Sequence, residues 1–182
     1  MRISRKYYIS ILILTFIICP LLNFGQMRNA KKKANKDTKS WRYEIEGVSQ
    51  GVQGTYLIKV WSFSKRNKVA IEQAKKNAVH GVIFRGYQGS TKGVRPQKPL
   101  TKESNLEQEK EMFFNEFFAD GGKYMKFVSL TNNGAVAPGD RQKLGRFLAR
   151  EHKIGIMVSV KKDLLRKDLE DAGIIRGLNS GF

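Results

Sequence analysis

Hydrophobic and polar residues alternate in two neighbouring stretches of the chain, residues 41–46 and 55–63. In the first, Trp41, Tyr43 and Ile45 alternate with charged residues, which is the pattern of a strand with one buried face. The second carries apolar residues on both faces and predicts an inner strand that is largely covered on both sides. Three glycines between the stretches provide the flexible backbone of a turn or bulged hairpin, so we expect the two strands to pair antiparallel.

The next segment changes to the three-to-four spacing of an amphipathic helix. Its small and apolar positions are Ala70, Ile71, Ala74, Ala78 and Val79. Because alanine lets a helix approach a sheet closely, we predict that this is the main packing helix, capped by the side chain of Ser64 or Asn67. Gly81 is the expected end of the helix, and residues 82–84 are predicted to form a short buried strand.

A second helix is predicted over residues 103–119. Its beginning is rich in glutamate, and acidic side chains interact favourably with the positive end of the helix macrodipole. Four aromatic residues near its end cannot all lie on one narrow stripe; they are Phe113, Phe114, Phe117 and Phe118. The helix is therefore either buried on two sides or presents phenylalanines to a partner, and core packing is the commoner arrangement.

The last third of the chain predicts a strand at 125–130, a helix at 140–151, a buried strand at 154–160 and a helix at 161–172. With the earlier elements the order is roughly β-β-α-β-α-β-α-β-α. The predicted fold class is α+β, a single layer of mostly antiparallel sheet packed by helices, in one domain over residues 41–182. Sandwich and barrel folds are disfavoured.

A segment rich in glycine and proline, residues 86–101, interrupts this pattern. It has almost no side chains that a core would bury, so we predict a long exposed loop. Loops of this length are often functional, which makes Lys92, Arg95 and Lys98 candidate partner-binding or anion-binding residues. Its glycines lack the spacing of a nucleotide-phosphate loop, and no nucleotide site is predicted. A disordered loop without a function is the open alternative.

The chain is strongly basic, with 34 Lys and Arg against 16 Asp and Glu and a net charge of +18. Such a charge favours anionic partners, although a basic surface also keeps an exported domain soluble. Residues 26–40 concentrate cations beside a single acid and predict a disordered basic tail. Its candidate anion-binding residues are Lys31, Lys32, Lys33 and Lys36. The tail either adsorbs to an anionic surface or serves as a solvated spacer.

Residues 1–25 have the organisation of a secretory signal peptide. Basic residues precede an apolar run over 7–22, which is shorter than the roughly 20 residues of a membrane-spanning helix. We predict cleavage near Gly25-Gln26, which removes Cys19, the only cysteine. Lipid attachment at Cys19 is disfavoured, because no small residue of a lipobox precedes it. The signal holds three of the 34 basic residues and no acid, so the mature chain has a net charge of +15 and no disulfide.

Residue types that commonly carry catalysis or metal binding are sparse. His80 and His152, the only histidines, fall on different predicted elements without the spacing of a zinc motif. Each is interpreted as a helix-end residue that interacts with terminal carbonyls. Glu44 and Glu46 face the same way on one strand, but two exposed glutamates on a solvent face are the more ordinary interpretation. We predict no catalytic residues, no metal site, no cofactor and no enzymatic activity.

Two features of the chain resemble known envelope proteins. The N-terminal segment, with a small residue before a glutamine, resembles the signal peptides of Bacteroidetes envelope proteins. The strand at 55–63, the alanine-rich helix before Gly81 and the strand at 154–160 resemble LPP20-type and curli-assembly-type envelope domains, over roughly residues 41–170. The resemblance implies an exported α+β module that acts in assembly or scaffolding at the outer membrane, and it carries over no catalytic residues. The chain departs from many such proteins in lacking a lipobox.

These features predict an exported, non-catalytic envelope protein that acts as an interaction or assembly module in the periplasm or cell envelope. The expected partner is an envelope protein complex or an anionic envelope polymer. Peripheral membrane contact is open, and no nucleic acid is expected. The alternative function is an electrostatic binder of anionic lipid or cell-wall glycan. A hydrolase has the least support, because the sequence offers no triad, metal set or acid pair.

Overall fold

The computed structural model describes residues 41–51, 54–89, 94–144 and 151–177, so the predicted signal peptide and basic tail lie outside it. In the described residues, the strands are β1 Tyr43–Gln50, β2 Thr55–Ser64, β3 Val128–Leu130, β4 Arg141–Leu144 and β5 Glu151–Lys161. The α-helices are α1 Asn67–His80, α2 Leu106–Glu109, α3 Glu111–Phe117 and α4 Lys162–Asp171. The strands form an antiparallel sheet packed by helices, which confirms the predicted α+β class.

β2 is the inner strand that its sequence pattern predicts. It pairs antiparallel with β1 on one side and β5 on the other, and the far edge of β5 is shared by β3 and β4. The β1–β2 hairpin is bulged, since its register shifts between Gly47 and Ser49. The prediction that both faces of β2 are covered is only half correct. Alternate residues on one face are buried, whereas Leu57, Trp61 and Phe63 on the other face are half-exposed.

The core lies between one face of the sheet and α1. Its fully buried strand residues include Ile58, Val60, Ile156, Val158 and Val160. Ala70, Ala74 and Ala78 of α1 pack against this face with no exposed surface, which confirms the predicted packing helix. The predicted cap is wrong, because no side chain caps α1 and the hydroxyl of Ser64 instead accepts the N–H of Arg66 at 3.2 Å.

The chain does not leave the helix at Gly81, as predicted, but continues as a π-helical turn over Gly81–Arg85. Gly81 keeps helical dihedral angles, and a Cβ there would lie 2.9 Å from Cδ1 of Ile45, so the glycine serves close packing. The helical stretch ends at Gly86, which has a left-handed φ of 66°. The strand predicted at 82–84 is therefore wrong, since a short apolar run fits a buried helical turn equally well.

Within the segment 86–101, the described residues 86–89 and 94–101 are packed against the fold more closely than a long exposed loop would be. Tyr87 and Gln97 exchange backbone hydrogen bonds of 3.0 and 2.9 Å. The backbone carbonyl of Gln88 accepts the N–H of Gly47 in β1 at 3.0 Å. Tyr87 and Leu100 are buried, with 5% and 8% of their surface exposed. The prediction that this segment lacks buriable side chains is wrong, because these two residues anchor it to the core.

The single helix predicted over 103–119 is divided into α2 and α3 at Lys110, whose φ of −111° and ψ of 34° are not helical. The break lets Leu106 of α2 and the aromatic residues of α3 reach the core separately. Phe114, Phe117 and Phe118 are buried and Phe113 is partly buried, so core packing is confirmed as the main role of these rings.

Of the helix predicted at 140–151, residues 141–144 form β4 instead, and residues 145–150 lie outside the described residues. Residues 141–144 pair with the first residues of β5. Backbone hydrogen bonds to β5 therefore stabilise β4, although its side chains are mostly exposed. The strand predicted at 125–130 is confirmed only in its second half, because residues 123–127 form a 3-10 helix. The described element order is therefore β-β-α-α-α-β-β-β-α rather than the regular alternation that was predicted.

The last strand and helix follow the prediction closely. β5 covers the predicted buried strand and extends it at both ends, and α4 follows directly. Leu165 and Leu169 are fully buried, whereas Leu164, predicted on the same apolar face, is 50% exposed. Among the described helices, none combines the length and the apolar character needed to cross a bilayer.

Candidate functional site

The candidate residues from the sequence analysis are only partly within the described structure. Lys31, Lys32, Lys33, Lys36 and Lys92 lie outside the described residues. Arg95 and Lys98 are described and exposed. Neither of them lines a cleft that lies between Trp41 and the helices α1, α2 and α3.

A cleft of about 650 Å³ lies between Trp41 and residues of α1, α2 and α3. Its lining combines the aromatic rings of Trp41, Phe114 and Phe118 with the carboxylates of Glu107, Glu111 and Asp120 and the ammonium of Lys76. Three carboxylates against one ammonium give a net formal charge of −2, on a chain whose net charge is +18. We call this site the acidic cleft. Its chemistry fits a ligand that is both cationic and partly apolar.

A chain of hydrogen bonds supports one wall of the acidic cleft. The hydroxyl of Tyr43 lies 2.7 Å from Nδ1 of His80, and Nε2 of His80 lies 3.2 Å from Oε2 of Glu107. Burial lowers the pKa of His80 and raises the pKa of Tyr43, so at neutral pH both groups are uncharged. The carboxylate needs a donor, which assigns the His80 proton to Nε2 and makes Nδ1 the acceptor of the Tyr43 hydroxyl.

Glu107 is the point where this hydrogen-bonded chain reaches the cleft. Its Oε2 accepts from His80, and its Oε1 accepts the indole N–H of Trp41 at 2.7 Å. Burial acts to raise the pKa of Glu107, but hydrogen bonds from His80 and Trp41 and nearby positive charge outweigh it and hold that pKa below its usual value. Glu107 is therefore an ionised, fixed carboxylate.

Trp41 is held in the same wall from several sides. Its indole stacks on His80, with ring centroids 3.7 Å apart and planes 19° from parallel, and Phe118 meets it edge-on at 5.1 Å. Its carbonyl accepts a hydrogen bond from Arg85 at 3.0 Å. These contacts hold a φ of 43°, which is uncommon for a residue with a side chain. The indole is thus placed before any ligand arrives.

Lys76 contributes a buried charge to the lining of the cleft. Its side chain is 4% exposed, and its Nζ lies 3.7 Å from Oδ1 of Asp120 and 5.7 Å from the ring centroid of Tyr124. Burial lowers the pKa of Lys76, and the Asp120 carboxylate opposes that shift. Asp120 itself is 40% exposed and remains accessible to solvent.

The outer face of the sheet is a second aromatic surface, but its charges are already paired. Trp61 lies against Gly155, where a Cβ would be 3.0 Å from the indole. The ammonium groups of Lys59 and Lys153 lie 5.4 and 5.2 Å from the Trp61 ring centroid. Lys59 pairs with Asp140, and Lys153 pairs with an acid of β1. This face is therefore less suited than the cleft to recognise a charged partner.

His80, Glu44 and Glu46 have structural partners in the fold. His80 ends α1, but its ring binds two side chains, and His152 lies on β5, so the interpretation of both as partners of helix-end carbonyls is wrong. Glu44 and Glu46 are both exposed, as the ordinary interpretation expects. No group of three or more His, Cys, Asp or Glu in the described ranges is placed to hold a metal ion.

The sequence analysis missed the acidic cleft because its residues are distant along the chain. Trp41 and Glu107 are 66 positions apart. The alternation of apolar and charged residues predicted that Trp41 lies on a strand, and gave no sign that it lines a cleft. One signal was available in the glutamate-rich stretch of the predicted second helix, which is exceptional in so basic a chain.

Comparison with known proteins adds no assignment. No protein-family model matches the chain, and no curated protein or solved structure matches it. The function must therefore be inferred from the chemistry of the acidic cleft.

Proposed function

We propose that this chain is an exported, non-catalytic protein of the cell envelope that acts as an interaction or assembly module, and that it contacts a protein partner through the acidic cleft. The observation that carries the proposal is the fixed indole of Trp41 beside the ionised carboxylate of Glu107. Tryptophan is one of the residue types that most often contribute a large share of the binding free energy at protein interfaces.

The form of the cleft supports binding rather than catalysis. His80 and Tyr43 do not line it, and each is almost fully buried with its polar atoms engaged by neighbours. A general acid or base has to reach the reacting proton in some substrate position. The hydrogen-bonded chain therefore orients Glu107 and Trp41 for recognition.

The chemistry of the cleft indicates what the partner presents. Carboxylates attract lysine or arginine, and the aromatic wall accommodates the aliphatic stem of either side chain or interacts with its cationic head. A cationic, partly apolar segment of an envelope protein fits this combination. Export of the chain rests on its N-terminal signal pattern, and an assembly role is in keeping with the resemblance to LPP20-type and curli-assembly-type domains.

Glu111 and Glu116 provide a matched pair of variants to test the proposal. Both are exposed on α3, but only Glu111 lines the cleft. The tagged protein is captured from its native envelope at low and at moderate salt, as wild type, Glu111→Lys and Glu116→Lys. We expect a stoichiometric protein partner that survives moderate salt in wild type and Glu116→Lys and falls about tenfold in Glu111→Lys, equivalent to ~1.4 kcal/mol.

Two results would contradict this proposal. Equal capture by both variants would remove the cleft from the interaction. Retention of lipid or glycan alone, lost on addition of salt, would instead establish the electrostatic alternative, which the exposed Arg95 and Lys98 favour. In that case Arg95→Gln with Lys98→Gln would weaken retention, whereas Glu111→Lys would not.

A further inference from the structure

We propose that the acidic cleft is occupied, until a partner arrives, by the basic tail of the same chain, residues 26–40. The inference rests on the proposed function of the cleft as a binding surface and identifies the segment against which a partner competes. It follows from the charge of the two surfaces and from the place where the tail joins the described structure.

The charges of tail and cleft are complementary. The tail carries six cations and one acid, the cations being Arg28, Lys31, Lys32, Lys33, Lys36 and Lys39. The cleft has three carboxylates and one ammonium, and that ammonium, on Lys76, is already adjacent to Asp120. In a chain with a net charge of +18, an acidic surface is a favourable position for the chain's own cations.

The tail joins the fold at the cleft itself. Trp41 is the first described residue after the tail, and its indole is part of the cleft wall. An extended chain advances roughly 3.3–3.6 Å per residue, so even Lys31, ten residues before Trp41, can reach any point of a cleft of about 650 Å³. A short flexible tether gives a local concentration on the order of millimolar, which favours the chain's own tail over a second copy.

The carboxylates of the cleft differ in how strongly the fold already engages them. Both carboxylate oxygens of Glu107 already accept hydrogen bonds from within the fold. Among the described residues, Glu111 accepts one long contact of 3.4 Å, from the amide of Asn115, and its side chain is exposed. We therefore assign the main tail contact to Glu111, with Asp120 as the second acceptor and the aromatic wall in contact with lysine stems.

A partner then has to displace the tail in order to bind. The same lysines are also those predicted to adsorb to an anionic surface, so such a surface competes with the cleft for the tail. A chain at an anionic membrane would expose its cleft more readily than a chain in free solution. Partner binding is thereby coupled to location at the envelope surface.

Zero-length cross-linking tests the proposal on the whole protein, produced with its own N-terminal segment and purified after export. A water-soluble carbodiimide joins a lysine amine to a carboxylate in contact with it, and mass spectrometry of the digested product identifies each pair. Glu109 and Glu116 are the internal controls, because they are exposed on α2 and α3 but do not line the cleft. Equal mixtures of unlabelled and nitrogen-15-labelled protein distinguish links within a copy from links between copies.

We expect tail lysines to link to Glu111 and Asp120 within one copy, on the order of tenfold above Glu109 and Glu116, which corresponds to a preference of ~1.4 kcal/mol for the cleft over its surroundings. Raised salt should reduce these links. The quadruple variant Lys31→Gln, Lys32→Gln, Lys33→Gln, Lys36→Gln keeps the amine of Lys39, and the links from Lys39 to the cleft should also fall, because the tail has lost most of its charge. A thermal melt of that variant controls for folding. Even distribution over all four acids, or links found only between copies, would overturn the proposal.

The result is distinguishable from the test of the proposed function. Tail docking can fail while capture of a partner still depends on Glu111, which leaves the proposed function intact. Tail docking can equally hold while no partner is captured, which leaves the cleft as an internal contact of the chain.

Discussion

Trp41 lies flat against His80, with ring centroids 3.7 Å apart and an interplanar angle of 19°. The two residues belong to different elements, since Trp41 precedes β1 and His80 ends α1. Through Glu107, which accepts hydrogen bonds from both, the pair is also joined to α2. The stack therefore connects the edge of the sheet, the main helix and the acidic cleft.

Replacing His80 with alanine is predicted to lower the free energy of unfolding by about 2–4 kcal/mol, because a buried ring and its hydrogen bonds are lost together. The variant also leaves the buried hydroxyl of Tyr43 without its partner. Urea unfolding followed by tryptophan fluorescence measures the change. His152→Ala, in a half-exposed position on β5, is the control, with an expected loss below about 1 kcal/mol. Equal losses would show that the His80 network adds little.

Stability is predicted to fall as the pH decreases below neutrality. Burial holds the pKa of His80 in the folded state below its ordinary value of 6.5, so the unfolded chain takes up this proton first. The free energy of unfolding then falls by up to about 1.4 kcal/mol per pH unit, until the folded state is also protonated. Glu107, whose folded pKa lies below its ordinary 4.5, makes its own contribution only in more acidic solution.

Unfolding of the wild type and of His80→Gln at about pH 7 and about pH 5.5 tests this expectation. Glutamine cannot titrate, so the difference between the two conditions should shrink in the variant. The same pH dependence in both proteins would assign the effect to other groups.

The parts of the fold that the sequence predicted well are those where a periodic pattern and burial agree. β2, β5 and the alanine face of α1 combine regular spacing with fully buried side chains. β4 was not predicted, because its side chains are mostly exposed and show no periodic apolar pattern. Its pairing with β5 depends on backbone hydrogen bonds, which the side-chain sequence does not indicate. Gly81 misled for a related reason: the glycine is needed for close approach of Ile45, not for a helix end.

The acidic cleft was harder to predict from the sequence than any helix or strand of the fold. Its wall depends on the left-handed backbone of Trp41 and on a contact with Glu107 across 66 positions. Local sequence propensity favours a strand at Trp41 and a solvent-exposed helix N-terminus at Glu107. Each expectation is reasonable when the residue is considered with its sequence neighbours alone. Only tertiary packing brings an indole and a carboxylate together.

The contact between Trp61 and Gly155 on the outer face of the sheet gives a steric prediction. A Cβ at Gly155 would lie 3.0 Å from the indole and 3.1 Å from Cβ of Asp140, so Gly155→Ala is expected to lower the free energy of unfolding by about 1–3 kcal/mol. Gly139→Ala is the matched control, since a Cβ there meets nothing within 4 Å. Thermal unfolding of both variants measures the difference. An unchanged melting temperature in Gly155→Ala would mean that the indole moves aside freely.

The Lys76–Asp120 pair should respond asymmetrically to loss of either partner. Lys76→Met removes a buried ammonium and keeps an apolar stem, while Asp120 stays hydrated at 40% exposure, so we expect a change within about 1 kcal/mol or a gain in stability. Asp120→Asn removes the nearest countercharge of the buried ammonium, which leaves the weaker attraction of Glu72, and should lose about 1–3 kcal/mol. Urea unfolding of both variants measures the two changes, and equal losses would contradict the asymmetry.

The same two variants separate stability from recognition. Lys76→Met makes the acidic cleft more negative and should strengthen binding of a cationic segment, whereas Asp120→Asn makes it less negative and should weaken it. Each folded variant is combined with the four lysine-to-glutamine changes at Lys31, Lys32, Lys33 and Lys36, so that the chain's own tail competes less for the cleft. Titration with a synthetic peptide of residues 26–40, at low and at moderate salt, then measures the direction of both effects. If neither variant changes the affinity, the carboxylates do not attract the segment, and the aromatic wall alone has to account for what the cleft binds.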